Sequence, residues 1–135
     1  MQEFVEVNGV RLHALREGSG QLILFVHGFP EFSGAWAAQL AEFGRDHLAV
    51  APDLRGFNLS SKPAEVKDYR PKQLVGDLVG LIEHYSPGRK ALVVAHDWGG
   101  AVAWNLAAQR PDLVEKLVII NSPHPVTFAR ELAHS

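Results

Sequence analysis

Four short apolar runs, Leu22–Val26, Leu48–Ala51, Ala91–Ala95 and Leu117–Ile120, constrain this chain more than any other feature, because none alternates with polar residues. A strand with one wet face alternates. A strand covered on both faces does not, so the runs predict buried strands of a parallel sheet. The stretches between them carry helical signatures. "SGAWAAQLAEF" follows the first run, with Ser33 as the expected N-cap. "PKQLVGDLVGLIEHY" precedes the third, with Pro71 in the first turn and Leu74, Leu78, Leu81, Ile82 and Tyr85 on one face. "GGAVAWNLAAQ" follows the third and stops before Pro111. Ahead of these, "FVEVNGVRLH" predicts a hairpin: Asn8-Gly9 suits a two-residue turn, and Val5/Val7 and Val10/Leu12 alternate on either side. The expected fold is α/β, a mostly parallel sheet with an N-terminal antiparallel hairpin and helices on both faces. Such a sheet ends on Leu117–Ile120, an apolar strand with an unpaired edge that something must cover.

With 135 residues the chain suits one domain, and 47% hydrophobic with 21% charged residues describes an ordinary globular composition. A net charge of −2 gives no footprint for nucleic acid or an anionic membrane. No apolar run approaches the ~20 residues that span a bilayer, and no leader pattern opens at Met1. Zero cysteines exclude disulfides and thiolate metal sites, in keeping with a cytoplasmic protein. The seven histidines include no HxH or HxxxH pair, so no metal site is expected.

The chemistry concentrates in "AHDWGG", Ala95–Gly100. A strand turning sharply into a helix lifts the turn residue above the sheet, and the residues two before and two after it must be small because the backbones pass close. Ala95 and Gly99 meet that need around Asp97, with Gly100 following: the pattern of a nucleophile elbow. The N–H of Trp98 and the positive end of the helix starting near Gly99 both favour negative charge there. The competing reading is that Asp97 merely caps the helix. A second stretch, "HGFPE" (His27–Glu31), leaves the first buried strand. If that strand neighbours the elbow strand, the Phe29 N–H supplies a second oxyanion donor, Pro30 stiffens the turn, and the site forms at the carboxyl edge of the sheet. Otherwise it is an ordinary tight loop.

"HGFPE", "PDLRGFNLSSKP" and "HDWGG", in that order and spacing, resemble α/β-hydrolase fold enzymes of the epoxide hydrolase and haloalkane dehalogenase group, and the resemblance runs through the whole chain. It implies Asp97 as a nucleophile that displaces at saturated carbon and forms an alkyl ester. Water then attacks the carbonyl of that ester while the Phe29 and Trp98 N–H groups hold the oxyanion. The implied substrate is a small apolar epoxide, and no cofactor is implied. Dehalogenation is the alternative: similar dehalogenases often carry Asn where this chain has Phe29, which has no side-chain donor for halide, although the Trp98 indole remains.

The resemblance also implies a histidine base, its acid partner and two lid tyrosines, all C-terminal to Leu117–Ile120. His124 and His134 follow too early to match the base, and Tyr69 and Tyr85 do not match the lid. Residues 1–135 are therefore expected to be the N-terminal half of a hydrolase core, without the lid and last strands, inactive alone and completed by a C-terminal half or a second chain. A truncated fold serving as a non-catalytic binding or assembly piece is the third reading. Phe29, Pro30, Trp36 and Trp98 are the expected substrate contacts, with core packing the competing role for Trp36. His27, Gly28, His96, Gly99 and Gly100 are expected to shape the loops, His27 and His96 as buried hydrogen-bonded rings. Asp53 and Arg55 are expected to contact each other, Trp104 to pack in the interior, and Gly76 and Gly80 to let their helix approach the sheet.

Overall fold

The computed structural model describes residues 1–29 and 31–120. Strands β1 (Gln2–Val7) and β2 (Val10–Glu17) form the expected hairpin, and its turn residues Asn8 and Gly9 both have positive φ, 48° and 77°. Val5, Val7, Val10 and Leu12 are buried, so the alternation identified the inner face. β3 (Leu22–Val26), β4 (Leu48–Pro52), β5 (Ala91–His96) and β6 (Val114–Ile120) complete a six-stranded sheet of order β1-β2-β4-β3-β5-β6. β1 to β2 and β2 to β4 are antiparallel, and the remaining pairs are parallel.

β3 is central and every residue of it is buried. Its side chains divide between two layers, which is why the run lacks polar positions. Leu22, Leu24 and Val26 pack in a cluster with Leu74, Leu78, Leu81 and Ile82 of α2 (Pro71–Tyr85) and with Val102 and Leu106 of α3 (Trp98–Gln109). Ile23 and Phe25 face the opposite layer, with Trp36 and with Leu40 of α1 (Ala37–Phe43). Gly76 and Gly80 do admit the hairpin: a Cβ on them would stand 2.7 Å from the Asn8 side chain and 2.8 Å from Val7 Cβ.

Three expectations need correction. Ser33 is not an N-cap: Phe32 occupies that position before a 3-10 turn, Ser33–Trp36, and the Ser33 N–H donates instead to Asp53 Oδ1 at 2.7 Å. Trp104 is 64% exposed, because the face of α3 that meets the sheet is taken by Gly99, Val102, Ala103 and Leu106 at i, i+3, i+4, i+7. Asp53 and Arg55 do not pair; each has its own buried partner. Among the described residues β6 is the last strand of the sheet and no strand pairs with its outer side; it starts three residues earlier than the apolar run suggests.

Candidate active site

The parallel pairing of β3 with β5 brings the two motif loops together, since Val26 is opposite Ala95 in the register. Beyond those residues the chain turns into α3 through Asp97, at φ 54° and ψ −123°, a backbone conformation that L-residues avoid. The Asp97 side chain makes no cap hydrogen bond to the helix and is exposed, which removes the capping alternative. Its own N–H donates to the Ile120 carbonyl of β6 at 3.0 Å. Small residues make this turn possible. A Cβ on Gly99 would stand 2.3 Å from the His27 carbonyl oxygen, and one on Gly100 2.7 Å from Ile119 Cγ2. A Cβ on Gly28 would meet Asp97 Cβ and the His96 carbonyl, both at 2.9 Å. The loops are in backbone contact, and only hydrogen fits between them.

Three side chains fix the loop that carries Phe29. His27 is fully buried; the Leu54 N–H donates to its Nε2 at 3.0 Å, which leaves Nδ1 to donate to the Gly28 carbonyl at 2.8 Å. Burial holds this imidazole below its ordinary value, so it is a neutral brace. Glu31 Oε1 accepts from the Gly28 N–H at 2.9 Å and from His96 Nδ1 at 2.7 Å, joining its own loop to the residue before Asp97. Burial pushes the Glu31 carboxyl up, but the bonds from His96 and Gly28 outweigh it and hold it below the usual carboxylate range. His96 is hydrogen-bonded as expected but only partly buried, its side chain 14% exposed. Asp53 is the third: fully buried, it accepts from Ser33 N–H, from His13 Nδ1 at 2.7 Å and from Asn58 Nδ2 at 2.9 Å. Burial raises its carboxyl and these donors more than reverse the effect.

The result is an open cleft of about 820 Å³ above the carboxyl ends of β3, β4 and β5, lined by Phe29, Gly56, Phe57, Tyr69, Asp97 and Trp98. Phe57 sits between Phe29 and Trp98, with ring centroids 6.0 and 6.3 Å away, and edge-on to His27 at 4.9 Å. Among the described residues the Phe29 and Trp98 N–H groups donate to no other backbone or side-chain acceptor. Of the expected contacts, Asp97, Phe29 and Trp98 meet here. Trp36 does not: its ring packs on Phe25 at 5.1 Å in the layer beneath the sheet, so it belongs to the core and not to the cleft. Pro30, His124 and His134 lie outside the described residues. Gly56, Phe57 and Tyr69 escaped the sequence reading, although "RGF" inside "PDLRGFNLSSKP" marked two of them.

Arg55, next to Gly56, carries the loop's other anchor. Its Nε and Nη2 each donate to Asp77 of α2 at 2.6 Å, with both side chains buried. Among the described residues no three His, Cys, Asp or Glu side chains converge as a metal site requires, and no helix is long and apolar enough to cross a membrane.

A family profile described as "alpha/beta hydrolase fold" matches residues 21–134. AB hydrolase superfamily protein YfhM of Bacillus subtilis is 47% identical over 126 residues, covering 91% of this chain and 44% of that protein. Epoxide hydrolase 1 of Caenorhabditis elegans is 45% identical over 131 residues, 96% of this chain and 32% of that protein. Among solved structures, an epoxide hydrolase from Vigna radiata superposes with a TM-score of 0.87 at 38% identity, over 98% of this chain and 46% of its own. A Bacillus megaterium epoxide hydrolase in complex with an inhibitor gives 0.85 at 45% identity, over 97% and 46%. The chain thus spans less than half the length of each of these proteins. Profile, identity and superposition agree with the mostly parallel sheet and its antiparallel hairpin: this chain belongs to the α/β hydrolase fold family.

Proposed function

We propose that the protein is a hydrolase that opens epoxides through an alkyl ester on Asp97. An Asp97 carboxylate oxygen attacks an epoxide carbon, the C–O bond breaks, and the epoxide oxygen takes a proton from an acid. Water then adds to the Asp97 carbonyl carbon, the Phe29 and Trp98 N–H groups receive the oxyanion, and the diol leaves as the carboxylate is restored. The observation that carries this reading is the exposed, uncapped Asp97 carboxylate, held at positive φ in an aromatic-lined cleft. A carboxylate suits saturated carbon, since attack on an ester or amide would leave a reactive anhydride. Epoxide is favoured over halide by the relatives' names and by Phe29, whose side chain offers no hydrogen-bond donor.

Among the described residues, none of those lining the cleft is a histidine. In this reading residues 1–135 are the first half of the hydrolase core. The water-activating base, its acid partner and the donor to the epoxide oxygen come from a C-terminal segment or a second polypeptide. A single turnover of a terminal epoxide by the complete protein in heavy-oxygen water tests the mechanism. The label is expected in the Asp97 carboxylate of the elbow peptide, with unlabelled diol; label in the first-turnover diol refutes the covalent route. Residues 1–135 alone are expected to accumulate the alkyl adduct on Asp97 without steady diol release, and sustained turnover by them refutes the two-part reading.

A further inference from the structure

Tyr69 lines the cleft from the far end of the long loop that leaves β4. It closes a single helical turn, Val66–Tyr69, late in the connection from β4 to α2. Three contacts hold it. A Cβ on Gly56 would stand 2.7 Å from Tyr69 Cε1, so the ring lies against bare backbone at a glycine with φ 89°. The phenol OH donates to the Pro63 carbonyl at 2.7 Å. The preceding residue's carbonyl, of Asp68, accepts from Arg55 Nη1 at 2.8 Å, and Arg55 is itself locked to Asp77. The phenol proton is therefore committed to a carbonyl on its own connection, while the side chain that lines the cleft is held at ring, hydroxyl and neighbouring backbone.

From this we infer that Tyr69 is a specificity-determining wall: it limits the breadth of the group carried by the epoxide and takes no part in proton transfer. A residue that swung freely would yield to a wide ligand. One clamped at ring, hydroxyl and backbone excludes it sterically, and such discrimination is expressed as a ratio between ligands rather than as a loss of chemistry.

The inference rests on the cleft being the epoxide site, so the test separates size selection from reaction. Non-reacting diols of two breadths, 3-phenoxypropane-1,2-diol and butane-1,2-diol, are titrated into the protein and into Tyr69→Ala, Tyr69→Leu and Tyr69→Phe, with thermal midpoints confirming folding. The corresponding epoxides are then assayed. Tyr69→Ala and Tyr69→Leu are expected to shift the ratio of dissociation constants by roughly fivefold or more toward the broad diol, and Tyr69→Phe by less than about twofold, because the ring stays. An unchanged ratio in both truncations overturns the wall. Loss of epoxide opening in Tyr69→Phe with both diols still bound also overturns it, since the phenol would then be an acid. If the parent protein binds both diols but opens neither epoxide, the proposed activity fails while the ratio still decides the wall.

Discussion

Removing the Arg55 guanidinium should show how much of the cleft wall is held by buried charge. Both partners of the Arg55–Asp77 pair are sequestered, with side chains 3% and 1% exposed, and the two bonds between them are 2.6 Å each. Arg55→Ala would strand the Asp77 carboxylate with the Asn8 amide, 3.1 Å away, as its remaining partner among the described residues. Breaking a buried pair from one side costs about 3–5 kcal/mol, because the surviving charge is neither solvated nor matched. For a domain of this size that corresponds to a fall in Tm of roughly 10–30 °C. A double variant, Arg55→Met with Asp77→Leu, removes both charges and keeps similar volume, so it should fall within about 2 kcal/mol of the parent. Urea denaturation followed by tryptophan fluorescence measures both variants, with constant m-values certifying the comparison. An Arg55→Ala cost below about 1 kcal/mol, or a double variant as damaged as the single one, would refute the claim that the penalty is an uncompensated charge.

Other outcomes follow from the same geometry. Asp97→Gly should abolish epoxide consumption yet raise stability by up to about 1 kcal/mol, since glycine adopts φ 54° without strain; a lower urea midpoint would contradict this. Gly99→Ala should cost about 2 kcal/mol or more and displace the elbow, because its Cβ would meet the His27 carbonyl at 2.3 Å and backbone cannot swing aside; denaturation and the rate of Asp97 alkylation by epoxide measure the two effects. Acid should destabilise the fold in two stages. His27 titrates below its ordinary 6.5 when folded, so the stability it contributes is intact above that pH and is lost as pH falls toward its folded value. Asp53 and Glu31, also lowered, lose theirs only as pH falls below the ordinary carboxylate range. Urea midpoints between pH 8 and 3 check the order, and a profile flat down to pH 4 would exclude the His27 stage.

What could be read before any coordinates was local or steric. The type of each strand followed from periodicity, the hairpin from Asn8-Gly9, and the elbow from small residues whose absent Cβ atoms now prove necessary. What resisted reading depended on chain trajectory. Arg55 finds its partner 22 residues away on α2, and no local pattern distinguishes that from a pairing with Asp53 two positions off. Tyr69 meets the cleft beside Asp68, whose carbonyl the same Arg55 holds, and nothing local in the sequence distinguishes it from an ordinary loop residue. Trp36 and Trp104 show the same difficulty in opposite senses: each sits near a helix start or middle, and only the packing of neighbouring layers sends one inside and leaves the other in water.

The hydrogen bond from the Asp97 amide to Ile120 places the elbow one strand from the rim of the described sheet. β5 and β6 stay in register up to His96 and Ile120, so the tip of the rim strand is the anchor post of the elbow. A segment that docked along β6 would stiffen or tilt that post, and the aim of the carboxylate would shift with it. On the proposed reading, docking at the rim would thus be felt in the cleft through a single backbone hydrogen bond.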